Sequence, residues 1–176
     1  MKATDPNNSS IIFVNPPYER IAPGYDFVRH VTNRSPSLGL LFLAAVARDH
    51  GYQTAIIESD IENLDVEQVT ERLLKERPDY IGITLFTVGV WQAALIARKI
   101  KNLLPATKII VGGPHISSMS METMERFTEF DIAVIHEGEQ VLPELLEKLE
   151  VKRDLSTVNG IIFRDENGLQ KTPPAP

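Results

Sequence analysis

A doubly wound α/β fold built on a parallel five-stranded sheet is what this 176-residue sequence predicts. Three observations carry that expectation. Short, wholly apolar runs rich in β-branched residues recur along the chain, as strands covered on both faces require. Amphipathic segments of helical length alternate with them, the pattern of βα units. Finally, Ile109-Ile110-Val111-Gly112-Gly113-Pro114-His115 ends an apolar strand on paired glycines. Such a break lets a ligand approach bare backbone at the carboxyl edge of a parallel sheet.

Residues 1–9 are polar and read as a flexible arm. Ile11-Ile12-Phe13-Val14 is the first strand, stopped by Asn15-Pro16-Pro17. An irregular connection from Tyr18 to Pro36 follows, long enough to suggest a functional loop. Ser37 caps a helix from Leu38 to His50, with Gly51 at its stop. Thr54–Ile57 is the second strand, and Val66–Glu76 an amphipathic helix introduced by Asp65. Tyr80–Leu85 is the third strand and Trp91–Leu104 the third helix. Lys108–Val111 is the fourth strand, and a weaker helix spans Ser120–Phe127 after a loop. Ile132–Ile135 is the fifth strand and Val141–Leu149 the fifth helix. Ile161-Ile162-Phe163 and Leu169-Gln170-Lys171 flank Asp165-Glu166-Asn167-Gly168, whose Asn-Gly signals a hairpin. Residues 10–150 thus form the α/β domain, residues 151–172 a C-terminal β-hairpin extension, and residues 173–176 the start of a linker to something further. No Gly-x-Gly-x-x-Gly follows the first strand, which favours a flavodoxin-like sheet of order 2-1-3-4-5.

Composition narrows the function. The chain has 18 basic and 24 acidic residues, a formal charge of −6. No Lys/Arg run offers the basic face that nucleic-acid phosphates need, so nucleic acid is not expected as a partner. No apolar stretch approaches the roughly 18 residues that span a bilayer, and the N-terminus lacks a signal core. Zero cysteines fit a reducing cytoplasm and exclude thiolate metal sites within this chain.

A parallel sheet gathers five segments at its carboxyl edge. They are Asn15-Pro16-Pro17-Tyr18, Glu58-Ser59-Asp60, Thr84-Leu85-Phe86-Thr87, Gly112-Gly113-Pro114-His115 and His136-Glu137-Gly138-Glu139. Together they make a groove with polar groups at a few points and little bulk at the glycines. That suits a large, flat or elongated ligand. A phosphate cradle would want more glycine, a lysine and a helix starting at once, which Pro114 and the loop after it do not suggest.

Six pieces, in order and spacing, resemble the N-terminal cobalamin-binding domain of cobalamin-dependent radical S-adenosylmethionine enzymes. They are Val14-Asn15-Pro16-Pro17, Pro36-Ser37-Leu38-Gly39-Leu40, Pro78–Thr84, Val111–His115, Glu137-Gly138-Glu139 and Gly160–Asp165. That group includes methyltransferases and the anaerobic magnesium-protoporphyrin monomethyl ester cyclase, an oxidoreductase. The resemblance implies a corrin lying over the sheet edge, with its nucleotide tail in a groove of the domain. Gly112, Gly113, Pro114 and His115 would border that tail; Thr84, Leu85, Phe86 and Thr87 would line the opposite wall. Asn15, Pro16, Pro17 and Tyr18 would sit beneath the corrin, and Glu137 and Gly138 would border the ligand edge.

Two departures qualify this. The histidine of the Asp-x-His-x-x-Gly motif of related cobalamin domains is missing at Asn15-Pro16-Pro17, which implies cobalamin bound base-off, without a protein ligand to cobalt. The three-cysteine motif for an iron–sulfur cluster is absent too. The resemblance therefore implies a binding module whose cluster and S-adenosylmethionine belong to a further, catalytic domain, for methyl transfer or radical chemistry. No catalytic or metal-ligating residue is assigned within this chain.

Plainer roles compete. His115 reads as a loop residue near the ligand, Trp91 as core at the start of its helix, and Glu137 and Glu139 as solvated carboxylates. His30 and His136 have no metal-spaced partner. Two other functions stay open: a stand-alone nucleotide-binding protein or enzyme using Glu137 or His115, and a degenerate domain that binds no cobalamin and serves for docking.

Overall fold

The computed structural model describes residues 9–18 and 35–175. Most of the N-terminal arm, most of the long connection after Tyr18, His30 and Pro176 lie outside the described residues. Seven strands make one sheet: β1 (Ser10–Asn15), β2 (Gln53–Glu58), β3 (Tyr80–Thr84), β4 (Lys108–Gly112), β5 (Ile132–Val134), β6 (Ile161–Asp165) and β7 (Gly168–Lys171). Their order is β2-β1-β3-β4-β5-β6-β7. The first five pair parallel, in the expected order 2-1-3-4-5. The hairpin does not stand apart. It continues the sheet antiparallel, β6 on β5 and β7 on β6. Gly168 takes φ +106° at its turn, which the Asn-Gly pair supplies without strain.

The helices are α1 (Leu38–Asp49), α2 (Ser59–Glu62), α3 (Val66–Glu76), α4 (Val90–Leu103), α5 (Pro114–Arg126) and α6 (Gly138–Glu150). Ser37 Oγ accepts from the Leu40 amide, and Asp65 and Gln68 form a reciprocal capping box on α3. Each satisfies helix donors that would otherwise have no partner. The sheet separates two apolar layers. Val69, Leu73, Ile96, Ile100, Ile116 and Met124 of α3–α5 pack on one face. Leu40, Ala44, Ala47, Leu142, Leu145 and Leu146 of α1 and α6 pack on the other.

Three sequence expectations change. The loop expected after Gly113 is helix: α5 begins at Pro114 and is kinked at Met119 (φ −135°, ψ 46°). Proline is favoured in the first helical position, where its missing N–H costs nothing. Ser117 and Ser118 donate their hydroxyls back to Gly113 O and Pro114 O just before the kink, a pattern that bends helices. His115 is accordingly a helical residue. Trp91 is not core: it is 52% exposed, edge-on to Phe127 at 5.1 Å, with the Arg126 guanidinium 4.8 Å above its ring. The third change is the short α2 directly after β2, which periodicity over four residues cannot signal.

The hairpin also braces α5. Arg164 donates to Phe130 O at 3.1 Å and to Phe127 O and Met124 O, carbonyls in the last turn of α5 and just beyond it. Beyond β7 the chain stays packed: Gly160 N donates to Pro173 O at 2.7 Å, and Ala175 joins the α1/α6 layer.

Candidate functional site

Strand register builds the site. On the α1/α6 face, Phe13 lies beside Gly82, and Gly82 beside Ile110. One pleat further toward the carboxyl edge lie Thr84 and Gly112, paired with each other. The α1/α6 layer does not close over these positions. A slot of about 270 Å³ remains between the sheet, the first turns of α1 (Ser37, Gly39, Leu40, Leu43) and those of α6 (Gly138, Glu139, Leu142). Thr84, Phe86, Gly112, Gly113, Pro114, Val134, His136 and Glu137 also line it. It opens at the carboxyl edge, and its size suits one aromatic ring system of a larger ligand.

The paired glycines divide two tasks. Gly112 keeps strand geometry, and a Cβ there would meet only Val134 O, at 3.6 Å. Its hydrogen leaves room in the slot. Gly113 adopts φ +97°, ψ −177°, a conformation essentially restricted to glycine. A Cβ on it would lie 2.8 Å from Thr84 Oγ1 and 3.1 Å from Leu85 N. Around it, Leu85 N donates to Gly112 O and His115 N to Leu85 O, at 2.7 and 3.0 Å. Gly138 plays a third part: its missing Cβ lets α6 approach Leu43 of α1, whose Cδ2 would be 3.1 Å away.

Of the residues singled out in the sequence, Thr84, Phe86, Gly112, Gly113, Pro114, Glu137 and Gly138 share the slot. Leu85 does not reach it: its side chain is buried and both its main-chain groups are engaged as above. Asn15, Pro16, Pro17 and Tyr18 form the neighbouring rim. Pro16 and Pro17 are buried, Tyr18 stands edge-on to Phe86 at 6.5 Å, and the Asn15 amide donates to Glu58 Oε2 at 3.0 Å. Glu58 is itself buried, and its other oxygen accepts from the Ser37 amide at 2.7 Å. This carboxylate ties the ends of β1 and β2 to the first turn of α1. Burial, followed by the charge on Asp60, holds the Tyr18 phenol above its usual pKa, so it stays protonated. The Pro36–Leu40 piece carries part of the resemblance but has no place in the groove as read from sequence, yet α1 forms one of its walls. Its signal was Gly39, a poor helix former in a first turn, where a Cβ would meet nothing within 4 Å.

His115 and Thr87 lie outside the slot. Thr87 Oγ1 is 3.1 Å from His115 Nδ1, and Thr123 Oγ1 is 3.0 Å from Nε2. Both ring nitrogens are engaged, so the ring links the turn after β3 to α5 across its kink. A neutral imidazole donates from one nitrogen and accepts at the other, and a hydroxyl can serve either. Burial lowers the His115 pKa from its ordinary 6.5. The unfolded chain therefore binds more protons between that lowered value and 6.5, and stability is complete above this window and falls as pH drops through it. We predict that His115→Ala flattens this part of the stability–pH profile, read from urea midpoints on both sides of pH 6.5. An unchanged slope would remove His115 as its source.

At the opposite rim His136 takes φ +66°, and its amide donates to Ser117 Oγ at 3.2 Å. This bond joins the exit of β5 to α5. Among the described residues no group of three His, Asp or Glu side chains could hold a metal ion. Nor is any helix there long and apolar enough to cross a membrane.

Comparison with known proteins places this geometry. The family model of the B12 binding domain matches residues 25–146. An uncharacterized methyltransferase of Pyrococcus horikoshii is 30% identical over 166 residues, covering 94% of this chain and 35% of that protein. The anaerobic magnesium-protoporphyrin IX monomethyl ester cyclase of Rubrivivax gelatinosus is 25% identical over 169 residues, covering 94% of this chain and 29% of the cyclase. The chain thus spans about a third of the length of these relatives. In fold it resembles the cobalamin-dependent S-adenosylmethionine radical enzyme OxsB (TM-score 0.77, 21% identity, 97% of this chain and 23% of that one). It also resembles the radical S-adenosylmethionine methyltransferase TsrM of Kitasatospora setae (TM-score 0.74, 23% identity, 96% and 29%).

Proposed function

Because this chain belongs to the B12-binding domain family, we propose that it holds cobalamin at the carboxyl edge of its sheet, the corrin over the rim and the nucleotide tail in the slot. The observation that carries this reading is the slot itself, kept open by bare backbone. A Cβ at Gly39 would enter free space and one at Gly112 would touch only Val134 O, so the absent side chains leave a cradle. Among the described residues Asn15 Oδ1, at the adjoining rim, is buried without a hydrogen-bond partner. A corrin carries amide side chains whose N–H groups can satisfy such an acceptor. Polar at the mouth and apolar within, the residues present fit the group.

In this reading Thr84, Phe86, Gly112, Gly113 and Pro114 border the tail on the sheet side, and Glu137 and Gly138 on the α6 side. Asn15, Pro16, Pro17 and Tyr18 lie under the corrin. Thr87 and His115 hold the rim without touching the ligand. Both His115 nitrogens are engaged and prolines follow Asn15, which supports a base-off state with no histidine on cobalt. Bound cobalt supplies a carrier for a methyl group or a centre for radical chemistry. This chain's residues orient the corrin and shield its lower face. With no cysteine in the sequence, the iron–sulfur cluster and S-adenosylmethionine of such chemistry would belong to a separate catalytic domain, the partner this edge would face.

Titration of the purified protein with hydroxocobalamin, followed by gel filtration and visible spectroscopy, tests the reading. The expected result is cobalamin retained by the protein with a base-off spectrum. Folded protein that retains none would overturn the proposal, and nucleotide binding at the same edge would favour the stand-alone alternative.

A further inference from the structure

We infer that the slot selects the base of the corrinoid it holds. It would prefer a base carrying only hydrocarbon substituents, a methylated benzimidazole or a methylphenol, to a purine. This inference rests on the cobalamin reading above and deepens it.

The argument lies in how the lining is ordered by depth. Phe13, Gly82 and Ile110 stand one pleat below Thr84 and Gly112. Helices α1 and α6 both start at the rim and descend, so Leu40 and Leu43 lie below Ser37, and Leu142 below Glu139. The polar lining side chains all belong to the mouth. The inner half is Phe13, Leu40, Leu43, Ile110 and Leu142. Its floor depends on Gly82: a Cβ there would lie 2.7 Å from Phe13 Cδ1, so the phenyl ring rests directly on the bare strand. The main-chain groups at this depth are committed to the β1–β3–β4 ladder and to helical turns. The inner slot therefore offers an aromatic base packing surface and no hydrogen-bond partner.

A methylated benzimidazole or a methylphenol gains from such surroundings, because its methyl groups leave water for apolar contact. A purine brings further ring nitrogens and, in adenine, an amino group. Each would be stripped of water and left unpaired, a loss of roughly 10- to 100-fold in affinity.

The test measures binding of four corrinoids to the 176-residue chain by equilibrium dialysis: cobalamin, its methylphenol counterpart, its adenine counterpart, and cobinamide, which has no base. We expect the methylphenol form, which has no base to release from cobalt, to bind at least as tightly as cobalamin, the adenine form at least ~10-fold more weakly than cobalamin, and cobinamide more weakly than cobalamin. Equal affinity for the adenine form would overturn the inference. So would cobinamide binding as tightly as cobalamin, since the base would then lie elsewhere. Failure to bind any of the four would sink the cobalamin reading itself. Leu43→Gln provides a second test, because Leu43 is only partly buried and glutamine would bring a donor and an acceptor to the wall. The ratio between cobalamin and the adenine form should shrink in that variant; an unchanged ratio in folded protein counts against the slot as selector.

Discussion

Gly113→Ala is expected to lower the unfolding free energy by roughly 3 kcal/mol, combining backbone strain with overpacking. Two causes act together. At φ +97° and ψ −177° an alanine is strained wherever its side chain points. Its Cβ would also press on Thr84 Oγ1 and on both main-chain groups of Leu85. Relief by moving the backbone would break the bonds that Leu85 makes to Gly112 and His115. These join the ends of β3 and β4 to the start of α5, so the damage would spread along the rim. Urea unfolding followed by circular dichroism measures the effect. A loss below about 1 kcal/mol, the ordinary cost of a substitution, would show that the rim tolerates a side chain there.

Gly112→Val should do the opposite. Position 112 has strand geometry, its Cβ would make an ordinary 3.6 Å contact, and β-branched residues suit strands. Unfolding free energy is expected to stay within about 1 kcal/mol of the parent. Cobalamin binding is expected to weaken by at least roughly 30-fold, the equivalent of about 2 kcal/mol of overpacking where the ligand lies. Normal affinity in the variant would place the tail away from Gly112. The pair of variants separates stability from binding, which one substitution alone would confound.

The parallel strands were legible because a strand buried on both faces has little freedom in composition. Ile11–Val14 and Lys108–Val111 read as strands on sight, and they occupy β1 and β4. Strand order followed from the missing Gly-x-Gly-x-x-Gly and the number of βα units. What failed was local punctuation. Gly113-Pro114 looks like a loop in sequence, yet a proline that breaks a ladder is equally suited to open a helix. Trp91 looks like core by its helical position, but with only Phe127 and the Arg126 guanidinium against its ring it stays half exposed.

The site was half legible for a similar reason. Glycines at strand ends advertise open backbone, so the sheet side of the slot could be read from Gly112 and Gly113. The α1 side offers only Gly39 as a signal, because its contribution depends on how a helix lies against distant strands. Leu40 and Leu43 are ordinary core residues by pattern, and only the gap between α1 and α6 makes them a wall. Leu85 shows the converse. The resemblance implies a place for it in the groove wall with the rest of Thr84–Thr87, but strand alternation turns its side chain to the other layer.

The pairing of α1 with α6 sets the order in which the molecule can be assembled. The 88 residues 50–137 separate these two helices, and contacts over such distances form late because loop closure must come first. The α3–α5 layer, made of consecutive βα units, can form from nearer neighbours. The slot between α1 and α6 is then expected to take shape late in folding and to loosen early when the fold opens. Cobalamin seated there would bridge an early-formed sheet and a late-arriving helix. Its arrival would slow unfolding more than it speeds folding.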